Sequence, residues 1–127
     1  MQLNSAKDLN VYKKAYKLAM DIFEISCSFP KEEKYSLTDQ IRRSSRSVCT
    51  NLREAWAKRR YEAHFINKLT DVDGENNETD TWLDFARDCG YLNETKFLEL
   101  QQASKDIGNM VGGMLKTPGK FVVQKEK

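Results

Sequence analysis

The chain has 127 residues, which is enough for one packed domain and too few for two. Apolar residues make up 39% and charged residues 31%, with two prolines and six glycines, so the composition is globular and not that of a disordered chain. Lys and Arg (21) nearly balance Asp and Glu (19), and no apolar run approaches the ~18 residues of a membrane span, which excludes a uniformly basic protein and a transmembrane helix.

The first ten residues, MQLNSAKDLN, lack the apolar core of a signal peptide, so a cytoplasmic protein with no membrane partner is expected. Ser5, with Asp8 three residues on, is placed to cap a first helix running to about Ser28. On a wheel, Lys13, Lys14, Lys17, Asp21, Glu24 and Ser28 share one polar arc. The rest is apolar: Leu9, Tyr12, Tyr16, Ala19 and Phe23 on one flank, Val11, Leu18, Ile22 and Ile25 on the other. That arc spans roughly 200°, about twice what a one-sided helix needs. The expectation is a helix that buries two faces, one in its own bundle and one against a partner in an oligomer; the alternative is a central helix in a small monomeric bundle. Leu18→Glu or Ile25→Glu would then weaken assembly.

Phe29-Pro30 ends this helix, because a residue before proline leaves the α region. Ser36 with Asp39 reads as the cap of a second helix, on which Leu37, Ile41, Ser44, Val48, Leu52 and Ala55 form a heptad-like seam. No glycine or proline falls between Leu37 and Asp73, and the break before the third helix is set near Lys58–Tyr61. Helix three turns Phe65, Leu69, Val72, Leu83 and Ala86 inward, and Gly90-Tyr91 reads as its stop. Asn93 caps a fourth helix with Phe97, Leu100, Ile107, Met110, Val111 and Met114 inside, closed by Thr117-Pro118-Gly119. No segment alternates with the period of a strand. The predicted fold is all-α: an antiparallel up-down-up-down four-helix bundle over residues 1–116, oligomeric, with a flexible tail over 117–127.

Chemistry is sparse. His64 is the only histidine, which leaves no His-pair metal site and no local Ser–His or Cys–His signature. Cys27, Cys49 and Cys89 are far apart and expected as buried or half-buried free thiols. Six acidic residues lie between Asp71 and Asp84 with no Lys or Arg among them. A calcium loop starting at Asp71 would need Gly at its sixth position and Glu at its twelfth, where Asn76 and Trp82 stand. A looser magnesium site from Asp71, Glu75 and Glu78 would make a metal-dependent enzyme, but a solvated or interfacial acidic face is the expectation. No cofactor and no enzymatic activity are expected.

The charge that does concentrate is basic. Gln40–Arg60 carries seven Lys or Arg against one Glu. Arg42, Arg46, Arg53 and Arg60 recur at steps of four, seven and seven, within roughly 40° on a helical wheel. Trp56 lies beside them, and Arg43 and Lys58 add charge. Guanidinium groups beside an aromatic ring suit a phosphate backbone and a stacked base. They equally suit a subunit interface opposite the acidic Asp71–Asp84 stretch.

Gln40-Ile41-Arg42-Arg43-Ser44, Ser47-Val48, Asn51-Leu52 and Glu54-Ala55 resemble the signature of the 23S ribosomal RNA intervening-sequence protein family. Leu9-Asn10-Val11-Tyr12, Phe29-Pro30 and Leu83 to Ala86 with Gly90-Tyr91-Leu92 extend the resemblance over nearly the whole chain. It implies a bacterial four-helix bundle assembled as a homopentameric ring, without established enzymatic activity, that binds RNA or DNA. It further implies likeness to the accessory protein of diversity-generating retroelements, which binds nucleic acid and a reverse transcriptase, so a nucleic-acid-processing protein is an expected partner. The family's usual Asn-Ile-Ala-Glu-Gly is here Asn51-Leu52-Arg53-Glu54-Ala55, which loses a glycine and extends the basic stripe. Asn51 and Glu54 are read as structural, pairing with a neighbouring helix or with Arg42 or Arg43.

Overall fold

The computed structural model describes residues 5–123, and among them all regular structure is helical. Four long helices carry the fold: α1 (Asn10–Ser26), α2 (Asp39–Ala57), α3 (Glu62–Asp88) and α4 (Glu94–Lys116). They pack as a bundle in which α2 lies against α3, α3 against α4, and α1 against both α2 and α4. The α2 seam is the clearest link from pattern to packing: Leu37, Ile41, Ser44, Val48, Leu52 and Ala55 are all buried. So are Phe65, Leu69, Val72, Leu83 and Ala86 of α3, and Phe97, Leu100, Ile107, Val111 and Met114 of α4. Met110 is half-buried.

Helix boundaries follow local chemistry. Helix α2 ends at Ala57 and α3 begins at Glu62, so the break falls at 58–61 as the sequence suggests. At the end of α3, Gly90 takes φ +82°. Its N–H bonds the Arg87 carbonyl at 2.9 Å and that of Tyr91 bonds Ala86 at 2.8 Å, the paired bonds of a Schellman stop. Because a Cβ is strained at that φ, Gly90→Ala is expected to cost about 1 kcal/mol, read as a lower urea midpoint at unchanged m-value. Asn93 then caps α4, its side chain accepting from the Lys96 N–H at 2.7 Å.

Two caps differ from expectation. Ser5 and Asp8 do form a reciprocal capping box, but around a short 3₁₀ turn, Ala6–Asp8. Leu9 is extended (φ −68°, ψ 133°), so α1 starts only at Asn10. Ser36 caps nothing: it lies inside a π-type turn, Lys34–Thr38, whose last residue is already helical and runs straight into α2.

The first helix also divides differently. Val11, Ala15, Leu18, Ala19 and Ile22 are buried in the chain's own core. Leu18→Glu would therefore break the bundle and not merely an assembly, and Ile25, packed against the core, is no clean probe either. The side left outward carries Tyr16, Met20 and Phe23. Of the cysteines only Cys49 is buried, and there burial pushes its thiol up to about 11. Cys27 and Cys89, expected at least half-buried, are exposed.

The expected flexible tail from residue 117 is tied down over its first part. Pro118–Lys120 forms a 3₁₀ turn, Phe121 and Val122 pack on the core, and the Val123 N–H donates to the Arg59 carbonyl at 3.0 Å. The apolar pair Phe121-Val122 supplies the reason: it covers the end of the bundle beside Phe65, with ring centres 6.2 Å apart. The rest of that tail, 124–127, lies outside the described residues.

Candidate nucleic-acid interface

The basic segment separates into groups that the wheel could not distinguish. Arg42 reaches across to the end of α1: its Nε donates to Ser26 Oγ at 2.7 Å and its Nη2 to the Phe23 carbonyl at 3.3 Å. Its guanidinium also lies over the Phe23 ring, 4.8 Å from the centre. Arg46 lies over the same ring at 5.7 Å. Arg43 points the other way, towards α3, and meets Glu75 at 3.3 Å and Glu78 at 2.6 Å. Both partners feel it: the hydrogen bond to Glu78 raises Arg43 above its ordinary pKa, and that bond holds Glu78 below the usual carboxylate range. Arg43 is thus ion-paired within its own chain, with half of its side chain still exposed.

Arg53 is exposed on α2 and makes no hydrogen bond or ion pair among the described residues. The side chains of Lys58 and Arg60, exposed in the turn after α2, likewise make no hydrogen bond or ion pair among the described residues. Arg60, however, does not continue the helical stripe, because α2 stops at Ala57 and Arg60 sits in the turn that follows. Trp56 is not an open platform either. It packs against the core, and Arg59 covers its ring with the guanidinium 3.5 Å from the centre. Arg59 Nε donates to the Trp56 carbonyl at 2.8 Å, and burial pulls its pKa below the ordinary value. Wheel reasoning missed Arg59 because it carried helical geometry past a helix that ends two residues earlier.

Part of the basic segment shares one open surface of α2. Asp39, Arg42, Arg43, Arg46, Ser47 and Thr50 line a shallow open basin of about 540 Å³. Arg42, Arg46, Arg53, Lys58, Arg59 and Arg60 have no carboxylate bound to them among the described residues. Of these, Arg42 and Arg59 donate side-chain hydrogen bonds within the chain, whereas Arg46, Arg53, Lys58 and Arg60 donate none among the described residues. Glu54 is occupied by Lys68 of α3 at 2.7 Å, a pairing with a neighbouring helix as anticipated. Asn51 instead stays in its own helix, its Nδ2 donating to the Ser47 carbonyl at 2.9 Å.

The acidic stretch is part of α3, with Glu75 and Glu78 bound to Arg43 and Asp71 near Lys68 at 3.6 Å. No cluster of His, Cys, Asp or Glu among the described residues is arranged to hold a metal ion. His64 is exposed at the start of α3, its ring centre 5.5 Å from that of Tyr61. No helix among the described residues is long and apolar enough to cross a membrane.

A crystal structure at 1.70 Å of a protein of unknown function from the S23 ribosomal protein family of Bacteroides thetaiotaomicron is similar in fold, with a TM-score of 0.77. It is 30% identical in sequence, over 84% of this chain and 96% of that one. No curated protein matches. The sequence profile of the 23S rRNA-intervening sequence protein family matches residues 7–113, which takes in all of α1, α2 and α3 and most of α4. The chain belongs to the 23S rRNA-intervening sequence protein family.

Proposed function

We propose that this protein is a non-enzymatic nucleic-acid-binding bundle that grips the phosphate backbone of RNA or DNA with the outward side of α2. The observation that carries this reading is the set of cations at Arg46, Arg53, Lys58 and Arg60 to which no acidic group of the chain is bound among the described residues. An arginine already paired with carboxylates, as Arg43 is, has less to offer a phosphate. The short connections 58–61 and 89–93 support an up-down-up-down antiparallel course. The family resemblance supports a cytoplasmic homo-oligomer, a pentamer, with a nucleic-acid-processing protein as further partner. Phe85 on α3 and Leu98 on α4, each about half exposed, supply apolar surface for a neighbouring copy.

The test is filter binding of single-stranded RNA and duplex DNA across a salt series. Each phosphate contact contributes about −0.7 to the log–log salt slope on single strands and about −0.9 on B-DNA. Arg46→Ala and Arg53→Ala should each reduce the slope by about one contact per participating subunit and weaken all sequences alike. Unchanged binding by an intact assembly would overturn this reading. Dissociation of the assembly by Arg53→Ala on size exclusion would favour the arginines as a subunit contact, because a stranded acidic partner is costly.

A further inference from the structure

The arginines of α2 do not stand alone on their surface. Arg42 and Arg46 both rest on Phe23 of α1, which ends a row of large apolar side chains whose far member, Tyr12, is half-buried against the core while Tyr16, Met20 and Phe23 face outward. Tyr12, Tyr16, Met20 and Phe23 follow at steps of four, four and three, which on a helix makes a single line about 16 Å long. Tyr16 is 55% exposed, Met20 43% and Phe23 37%, and the Tyr12 and Tyr16 ring centres are 6.2 Å apart. At the other end of the line, Lys7, Tyr12, Lys13 and Tyr16 border one shallow cleft. The row is therefore flanked by cations at both ends, Lys7 and Lys13 at one and Arg42 and Arg46 at the other. None of the four has an ion pair among the described residues.

We infer that the exposed Tyr16 ring of α1, with Met20 beside it, is a base-stacking platform for a single-stranded nucleic acid whose phosphates run over the flanking cations. This inference rests on the nucleic-acid reading of α2 and moves the stacking role from Trp56, whose ring Arg59 covers, to the neighbouring helix. The unpaired cations on this face favour a polyanion as its occupant. A second copy presenting the same face would set four cations against four cations, whereas a single strand supplies phosphate and aromatic base in alternation. A closed duplex hides its base faces and gains nothing from exposed rings.

The experiment compares Tyr16→Ala, Tyr16→Phe and wild type for binding to single-stranded poly(A) and to a duplex of the same net charge. Tyr16→Ala should weaken the single strand about 5- to 140-fold, the range for loss of one stacked base. The salt slope, the duplex affinity and the assembly state should be unchanged, and Tyr16→Phe should restore binding. Wild-type affinity for poly(A) in Tyr16→Ala would overturn the inference while leaving the phosphate contacts of α2 standing. Dissociation of the assembly by Tyr16→Ala would overturn it in favour of a subunit contact. Wild-type protein that binds neither strand would overturn this inference and the proposed function together.

Discussion

Replacing Phe65 by alanine is expected to remove about 3–5 kcal/mol of stability, the scale for emptying a buried phenyl site. The ring is fully buried in the first turn of α3, so its loss leaves a cavity and not a vacated surface. It also withdraws the partner on which Phe121 rests, and with it the seat of the 118–123 strap. Whole domains of this size are stable by only about 5–15 kcal/mol, so the variant should sit close to its unfolding threshold. Urea titration and a thermal scan, both followed by far-ultraviolet circular dichroism, measure the effect, with an expected fall in melting temperature of roughly 10–20 °C. A loss under 1 kcal/mol would mean that the strap and α3 close over the gap.

The second large effect is expected at Asn76, where polarity is buried on purpose. Its Nδ2 donates to the Ser104 carbonyl at 2.9 Å, and its Oδ1 faces the Ser104 hydroxyl at 3.4 Å. Asn76→Asp keeps the shape and removes the donor, setting a carboxylate against a carbonyl oxygen in an interior with no cation bound there. Burial would raise the folded-state pKa of that carboxyl above the unfolded value of about 3.9. The sign then follows. Below about pH 3.9 the group is protonated in both states and the charge penalty is absent. As pH rises through the unfolded pKa the penalty grows, and it levels off only above the raised folded pKa. At pH 7 the variant should be less stable than wild type by about 3 kcal/mol or more. The difference between the two proteins should narrow on acidification, which paired urea titrations at pH 7 and pH 4 would reveal. A difference that is constant with pH would show the carboxylate to be hydrated.

The interior was legible in the sequence, and the surface only in part. Leu37 to Ala55 could be read because burial imposes a period that nothing else in the segment obscures. Gly90 and Asn93 could be read because a positive φ and an unpaired helix-terminal N–H each select few residue types. The basic stripe resisted because a wheel records direction and not company. The carboxylates that claim Arg43 stand 32 and 35 residues away, and the ring beneath Arg42 and Arg46 belongs to another helix. Ser36 misled for a related reason: its spacing to Asp39 suits a cap, but the chain is already turning as a π-type helix when it arrives there. The outward row on α1 was visible as a second apolar flank, while its share in the basic surface was not.

Two polar contacts cross the apolar interior on the same stretch of α3. The hydroxyls of Thr79 and Ser44 meet at 2.8 Å between α3 and α2, and Asn76 joins Ser104 between α3 and α4. Leucine and valine seams tolerate a slip of one turn, because one aliphatic contact resembles the next. A slip at either of these crossings would leave a hydroxyl or an amide dry and unpartnered, at about 1–3 kcal/mol each. The axial register of three helices is therefore held from inside, by groups with no exposure to any ligand. Alignment on the outer face inherits that register: Glu75 and Glu78 stay level with Arg43, and the other arginines of α2 stay unclaimed by them.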